Sequence, residues 1–125
     1  MKDVSEFCEA WLNSWTGNQP ELLLSYYIED SFYSDPANRQ GLKGHAELLP
    51  YFKKLLKYNP DWKWKPVEII PTATGFTLKW EAAIPVGDTI IKEEGLDIVE
   101  LQNGKISRNE VYFDRTAWLQ AVEKK

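Results

Sequence analysis

The spacing of apolar residues changes once along this chain, near Lys65, and that change limits what the chain can fold into. Upstream the period is helical. Residues 3–16 place Phe7, Cys8, Trp11, Leu12 and Trp15 on one helical face, and Gly17 stops the run. Asn18-Gln19-Pro20 opens a second helix over 20–28, with proline at an early helical position. A short extended piece, Ser31-Phe32-Tyr33-Ser34, closes at Asp35-Pro36, because the residue before proline favours extended geometry. Gly41 and Gly44 frame a turn, and residues 45–58 form a third helix striped by Leu48, Leu49, Phe52, Leu55 and Leu56. Downstream the period is two. Leu78, Trp80, Ala82 and Ile84 alternate with polar or small residues, residues 89–101 follow, and Asn103-Gly104 signals a hairpin into 105–113. Three helices, one early strand and a long antiparallel meander give an α+β fold, with the helices covering one face of a curved sheet.

A chain of 125 residues has room for one domain, taken here as 1–125. Its 43% hydrophobic and 27% charged residues are those of a globular chain and exclude a disordered one. A net charge of -4 argues against nucleic acid as a partner. No apolar run reaches the roughly 18 residues of a membrane span. Asp3, Glu6 and Glu9 stand where a signal peptide is basic and then apolar, so a soluble, cytoplasmic protein is expected. The aromatic share, 14%, is high, and it suits either a generous core or a pocket for flat apolar molecules. The single cysteine, Cys8, lies among Phe7, Ala10 and Trp11 and reads as a small core residue.

Strand parity isolates one residue. In the last strand Arg108 and Glu110 face solvent, which turns Ser107, Asn109, Val111 and Phe113 inward. In the preceding strand Glu100 faces out and Val99 and Leu101 face in, so period two carries the inward face back to Asp97, Gly95 and Glu93. An aspartate between inward Gly95 and Val99 is costly unless paired, protonated or wet. Asp97 is therefore the residue that physics alone marks out. The outward parity carries Ile70, Ile90, Leu96, Ile98, Ile106 and Tyr112, more apolar surface than a lone sheet face should expose, and predicts a homodimer through that face.

Three stretches also resemble a known family: the helix-helix-strand run ending in Tyr33-Ser34-Asp35-Pro36, the Gly44-His45-Ala46-Glu47 helix start, and the closing segment from Gly95 to Ile106. Their order and spacing are similar to those of the SnoaL-like proteins, in the superfamily of nuclear transport factor 2 and the ketosteroid isomerases. The resemblance spans about residues 4–119. It implies a cone-shaped, barrel-like antiparallel sheet wrapped around three N-terminal helices, a pocket for a small apolar ligand, and dimers through the outer sheet face. It implies that Asp35 matches the isomerases' general base and Asp97 their protonated aspartic acid, or the acid–base aspartate of polyketide cyclases. In the isomerases that acid is kept neutral by its apolar surroundings. The resemblance breaks at Trp11, where those isomerases have a tyrosine, and at Val111, where epoxide hydrolases of this fold have an aspartate.

Together these readings give an acid–base step of isomerase-like or cyclase-like type on a small apolar carbonyl or aromatic compound, with Asp35 as base, Asp97 as acid or donor, and no cofactor. Trp11, Trp15, Phe52 and Trp80 are expected to line the pocket with Val99, Asn109, Val111 and Phe113, and Trp62 and Trp64 to rim its mouth. The alternative is a binding module that uses the pocket without chemistry; a protein–protein adaptor is a third possibility. Asp35 has its own bland alternative, an Asp-Pro turn residue bonding backbone N–H groups. His45 reads as a surface or capping residue at a helix start. One His and one Cys leave no zinc site, and Lys53, Lys54, Lys57, Lys63 and Lys65 read as solvated surface.

Overall fold

The structure, a computed structural model, describes residues 4–124; Asp3, the first residue of the expected helix, lies outside them. Helix α1 covers Val4–Asn13, α2 Pro20–Leu24 and α3 His45–Tyr58. The strands are β1 Tyr27–Asp35, β2 Asn38–Lys43, β3 Lys63–Pro71, β4 Gly75–Val86, β5 Thr89–Gln102 and β6 Lys105–Tyr112, and a last helix, α4, covers Thr116–Lys124. The six strands form one curved, unclosed sheet in the order β2-β1-β6-β5-β4-β3.

The period-two half folds as its pattern dictates. Along β4, burial alternates without a break through Phe76, Leu78, Trp80, Ala82, Ile84 and Val86. Each of the larger side chains contributes about 1.5–3 kcal/mol by leaving water. The β5–β6 hairpin turns at Asn103 and Gly104, with φ of 54° and 81°, the pair of positive φ values that a two-residue primed turn requires. Under the sheet, α1 buries Cys8, Trp11 and Leu12, and α3 buries Leu48, Phe52 and Leu56.

Several expectations are corrected. The sheet is mixed, because β1 pairs with β6 in parallel, Tyr33 beside Asn109. A parallel pair needs a long crossover, and here β2, α3 and β3–β5 intervene between the two strands. The sheet ends at two edges and does not close into a barrel. The second helix stops at Leu24, not residue 28, because Tyr27 already pairs with Ile106 and is buried. Gly41 lies inside β2 with the Phe32 ring against its Cα, so it does not frame a turn. Ile106, expected on the outer face, is fully buried. The register explains it: Leu101 pairs with Ile106 and Glu100 with Arg108, so a bulge absorbs Ser107 and flips parity beyond it. Helix α4 is an addition to the expected elements; Trp118 and Ala121 pack it against the core.

Candidate functional site

The helices and the concave face of the sheet line a partly open cavity of about 80 Å³. Leu12 and Trp15 close it at the end of α1, Tyr33 and Asp35 come from β1, and Tyr51 and Leu55 from α3. The sheet supplies Trp64, Trp80, Asp97 and Val111; Pro36, Ala37, Trp62, Phe113, Arg115 and Trp118 complete the wall. Five of the chain's six tryptophans therefore face one small space.

Asp97 is in this wall, 4% exposed, because β5 runs between β4 and β6 and turns it to the concave side. The Trp80 indole N–H donates to its Oδ1 at 2.7 Å, and the Asn109 amide donates to its Oδ2 at 3.0 Å. Asn109 is held in turn by the Tyr27 hydroxyl, which donates to Asn109 Oδ1 at 2.8 Å and accepts from the Trp11 indole at 3.3 Å. No positive charge takes part in these bonds. Burial pushes the Asp97 carboxyl up to about 7; the bonds from Asn109 and Trp80 pull it back, and the charge of Asp35 adds to the rise.

Asp35 is equally buried, at 7%, but differently held. Its Oδ1 accepts from the backbone N–H of Ala37 and Asn38 and from the Asn38 side chain, at 3.0, 2.8 and 3.2 Å. Its Oδ2 accepts from the Tyr33 and Tyr51 hydroxyls, at 2.8 and 2.5 Å. All five partners are donors, as suits an acceptor-only carboxylate. Both phenols are pushed up, first by burial, and the Asp35 carboxylate beside them adds to the rise. The turn reading of Asp35 thus describes half of what it does, and its hold on two cavity tyrosines is the other half.

Of the residues expected at the site, Asp35, Asp97, Trp15, Trp80, Val111 and Phe113 are brought together around the cavity, with Trp62 and Trp64. Trp11, Phe52, Val99 and Asn109 are not part of its wall. Trp11 packs against Phe76 and bonds Tyr27, Phe52 lies among Trp15, Tyr27 and Tyr33, and Asn109 reaches the cavity only through Asp97. Reading the sequence misses Tyr33, Tyr51, Arg115 and Trp118. Tyr51 has a signal, since Leu48, Tyr51 and Leu55 share helical spacing. Glu93 does not line the cavity, and His45 bonds the carbonyl of Tyr27 at 2.9 Å. Cys8 is fully buried, its thiol pushed up to about 12 by burial. Among the described residues no cluster of His, Cys, Asp or Glu is arranged for a metal, and no helix is long and apolar enough to cross a membrane.

The chain belongs to the SnoaL-like domain family, whose match covers residues 8–109. No curated protein matches it in sequence. Among solved structures it is similar to TerC, co-crystallised with polyporic acid, at 17% identity over 96% of this chain and 98% of that one, with a TM-score of 0.79. It is also similar to a hypothetical protein of ketosteroid isomerase-like fold from Catenulispora acidiphila, in complex with trimethylamine. That match has 16% identity over 94% and 92% of the two chains, and a TM-score of 0.81. A SnoaL-like polyketide cyclase from Shewanella putrefaciens, so named provisionally, matches at 11% identity over 100% and 88%, with a TM-score of 0.81. Identities this low show a common fold; that fold hosts many chemistries.

Proposed function

We propose that the cavity receives a small, mostly apolar carbonyl or aromatic compound and that Asp97 exchanges a proton with it, in a step of isomerase-like or cyclase-like type. One observation carries this reading: a buried carboxyl, held only by neutral side-chain donors and pushed up by burial to about 7, in the wall of a largely aromatic cavity. A group with that titration takes and gives protons near neutral pH with little driving force lost in either direction. The kinship with SnoaL-like polyketide cyclases supports it. Asp35, with five donors already satisfied, serves this reading by fixing the Tyr33 and Tyr51 hydroxyls rather than by taking the proton itself.

The size of the cavity sets the scale of the compound. About 80 Å³ lies well below the roughly 300–1,000 Å³ of drug-sized ligand pockets, so a fused-ring skeleton requires the tryptophans to move. The test is deuterium exchange at the carbon beside the carbonyl of small ketones in heavy water. Exchange that the chain accelerates and Asp97→Asn abolishes supports the reading; acceleration that survives the substitution sinks it. A second reading, binding without chemistry, is favoured by one observation, the full satisfaction of Asp35. A compound retained tightly and recovered unexchanged selects it.

We also propose that two copies pair through the outer sheet face. Ile70, Ile90, Leu96 and Tyr112 are 49%, 62%, 44% and 48% exposed there. Sedimentation of the chain and of Ile90→Glu with Leu96→Glu tests it; identical monomeric behaviour rejects the dimer.

A further inference from the structure

We propose that the tryptophan cavity is a cage for a small methylated ammonium group, so that the compound it receives is, or carries, an organic cation. This rests on the proposed role of the cavity as a small-molecule site, but not on any proton transfer there.

The aromatic residues of the wall pack against one another in a chain. Trp64 meets Trp80 with ring centroids 4.7 Å apart at 82°, and Trp62 meets Trp118 at 5.3 Å and 88°. Trp80 meets Phe113 at 5.4 Å and 70°, and Trp62 meets Trp64 at 5.8 Å and 65°. In each of these pairs one ring sets its edge against its neighbour, so the rings join into a continuous aromatic stretch of the cavity wall. Aromatic faces carry the negative lobe of the ring quadrupole, and tryptophan attracts cations most strongly, the more so when water is excluded. A cavity lined by several aromatic rings is the usual way to hold a quaternary ammonium.

Charge points the same way. Two carboxylates, Asp35 and Asp97, lie in the wall, and no lysine does. Arg115 is the one cationic side chain in the wall; it is half-buried and makes no ion pair among the described residues. Around the cavity, the titratable and charged groups are Asp35 and Tyr33 on β1, Tyr51 on α3, Asp97 on β5 and Arg115 after β6, with Cys8 and Tyr27 within reach of the Asp97 charge. Burial drives the three phenols and the thiol further above the neutral range and pushes Asp97 up to about 7. A cation in the cage favours ionised Asp97, so its affinity rises with pH through that value. A neutral carbonyl that accepts from protonated Asp97 has the opposite dependence.

The size fits as well. About 80 Å³ accommodates a group of a few heavy atoms. Three probes of similar bulk separate the possibilities: tetramethylammonium, neutral pinacolone and anionic pivalate. Each is titrated by calorimetry into the full chain at pH 5 and pH 8. The expected result is tetramethylammonium binding at least ten-fold tighter than pinacolone at pH 8 and about ten-fold weaker at pH 5, with pivalate weakest. Trp118→Leu, on the half-exposed C-terminal helix, lowers tetramethylammonium affinity about ten-fold, leaves pinacolone within two-fold, and is checked for folding by circular dichroism. Arg115→Gln, which removes the like charge, raises tetramethylammonium affinity whether or not the Trp118 variant folds. Pinacolone binding as tightly as tetramethylammonium, or more tightly, overturns the cation proposal and leaves the small-carbonyl reading standing. Pivalate binding tightest overturns it in favour of recognition at Arg115. No binding by any of the three overturns both.

Discussion

Replacing Asp97 with asparagine keeps the shape of the side chain and removes its titration, and the consequence for stability can be worked from the structure. The folded carboxyl titrates at about 7, against 3.8 ordinarily. Between those values the native chain holds a proton that the unfolded chain has released. The proton-linked stability is fully present below pH 3.8, falls by about 1.4 kcal/mol per pH unit as pH rises, and is gone above pH 7. The whole excursion is roughly 4 kcal/mol, a large share of the 5–15 kcal/mol that holds a typical domain together. Asp97→Asn removes this excursion but not for free in hydrogen bonds. The new amide has one oxygen where Asp97 has two, so one of the donors from Trp80 and Asn109 faces an N–H, at a cost of about 1–3 kcal/mol. Wild type is therefore the more stable near pH 4, and the variant equals or exceeds it near pH 8. Urea unfolding at each pH unit from 4 to 8 reads the difference directly, provided the denaturant slopes of the two chains agree. Other titrating groups cancel in that difference. A gap that stays constant across the range refutes the buried, neutral-donor account of Asp97.

Three other perturbations have definite outcomes. Asp35→Asn leaves the Tyr33 and Tyr51 hydroxyls and three N–H groups competing for one oxygen, and is expected to cost about 2–4 kcal/mol in urea unfolding. By removing a like charge it also lowers the Asp97 titration seen by carboxyl-carbon NMR; an unchanged value separates the two sites electrostatically. Gly95→Ala puts a Cβ 2.3 Å from Trp80 Cζ2 and 2.8 Å from Phe113 Cβ, so the indole must swing off Asp97. A loss of about 1–3 kcal/mol and an upward shift of the Asp97 titration are expected, and neither appears if the wall is pliant. Cys8 should resist iodoacetamide at pH 8 in the native chain and react once urea unfolds it, as mass spectrometry will show; rapid native labelling contradicts its burial.

What is legible in the sequence follows from which interactions are local. The strict alternation from Phe76 to Val86 announces a half-buried strand, and Asn103-Gly104 announces its turn type, because each pattern is written within a few residues. The inward parity of Asp97 needs only its immediate neighbours. Tyr27 shows the opposite case: by helical spacing it continues α2, yet it starts β1, because its partner Ile106 lies 79 residues later and no window of sequence contains both. The bulge at Ser107 has the same character, since a register shift is visible only once two strands are laid together. At the site, family resemblance points to the Trp11 position, whereas the structure uses Tyr27 and Asn109 to reach Asp97. Trp118 is legible in principle, through its spacing with Ala121 and Val122 on a short terminal helix.

The two carboxylates are equally deep and still differ in kind, so depth alone does not decide their chemistry. Asp35 stands at the end of β1, where the chain turns; two backbone N–H groups of that turn point at it, and two tyrosines reach it from β1 and α3. Asp97 stands mid-strand, where its own neighbours' N–H groups are committed to β4 and β6, so only side chains are left to bond it. Two neutral donors offset part of the cost of burying its charge, and the remainder shows as a raised titration. Register then fixes the surroundings: Trp80 pairs with Gly95, and the absent Cβ of Gly95 is what leaves the indole room to lie over β5 and reach Asp97 two residues on. A strand end and a strand middle in one sheet thus hold two aspartates by unlike means around one cavity: Asp35 by five donors from its turn and two tyrosines, Asp97 by two neutral side chains that leave its titration raised.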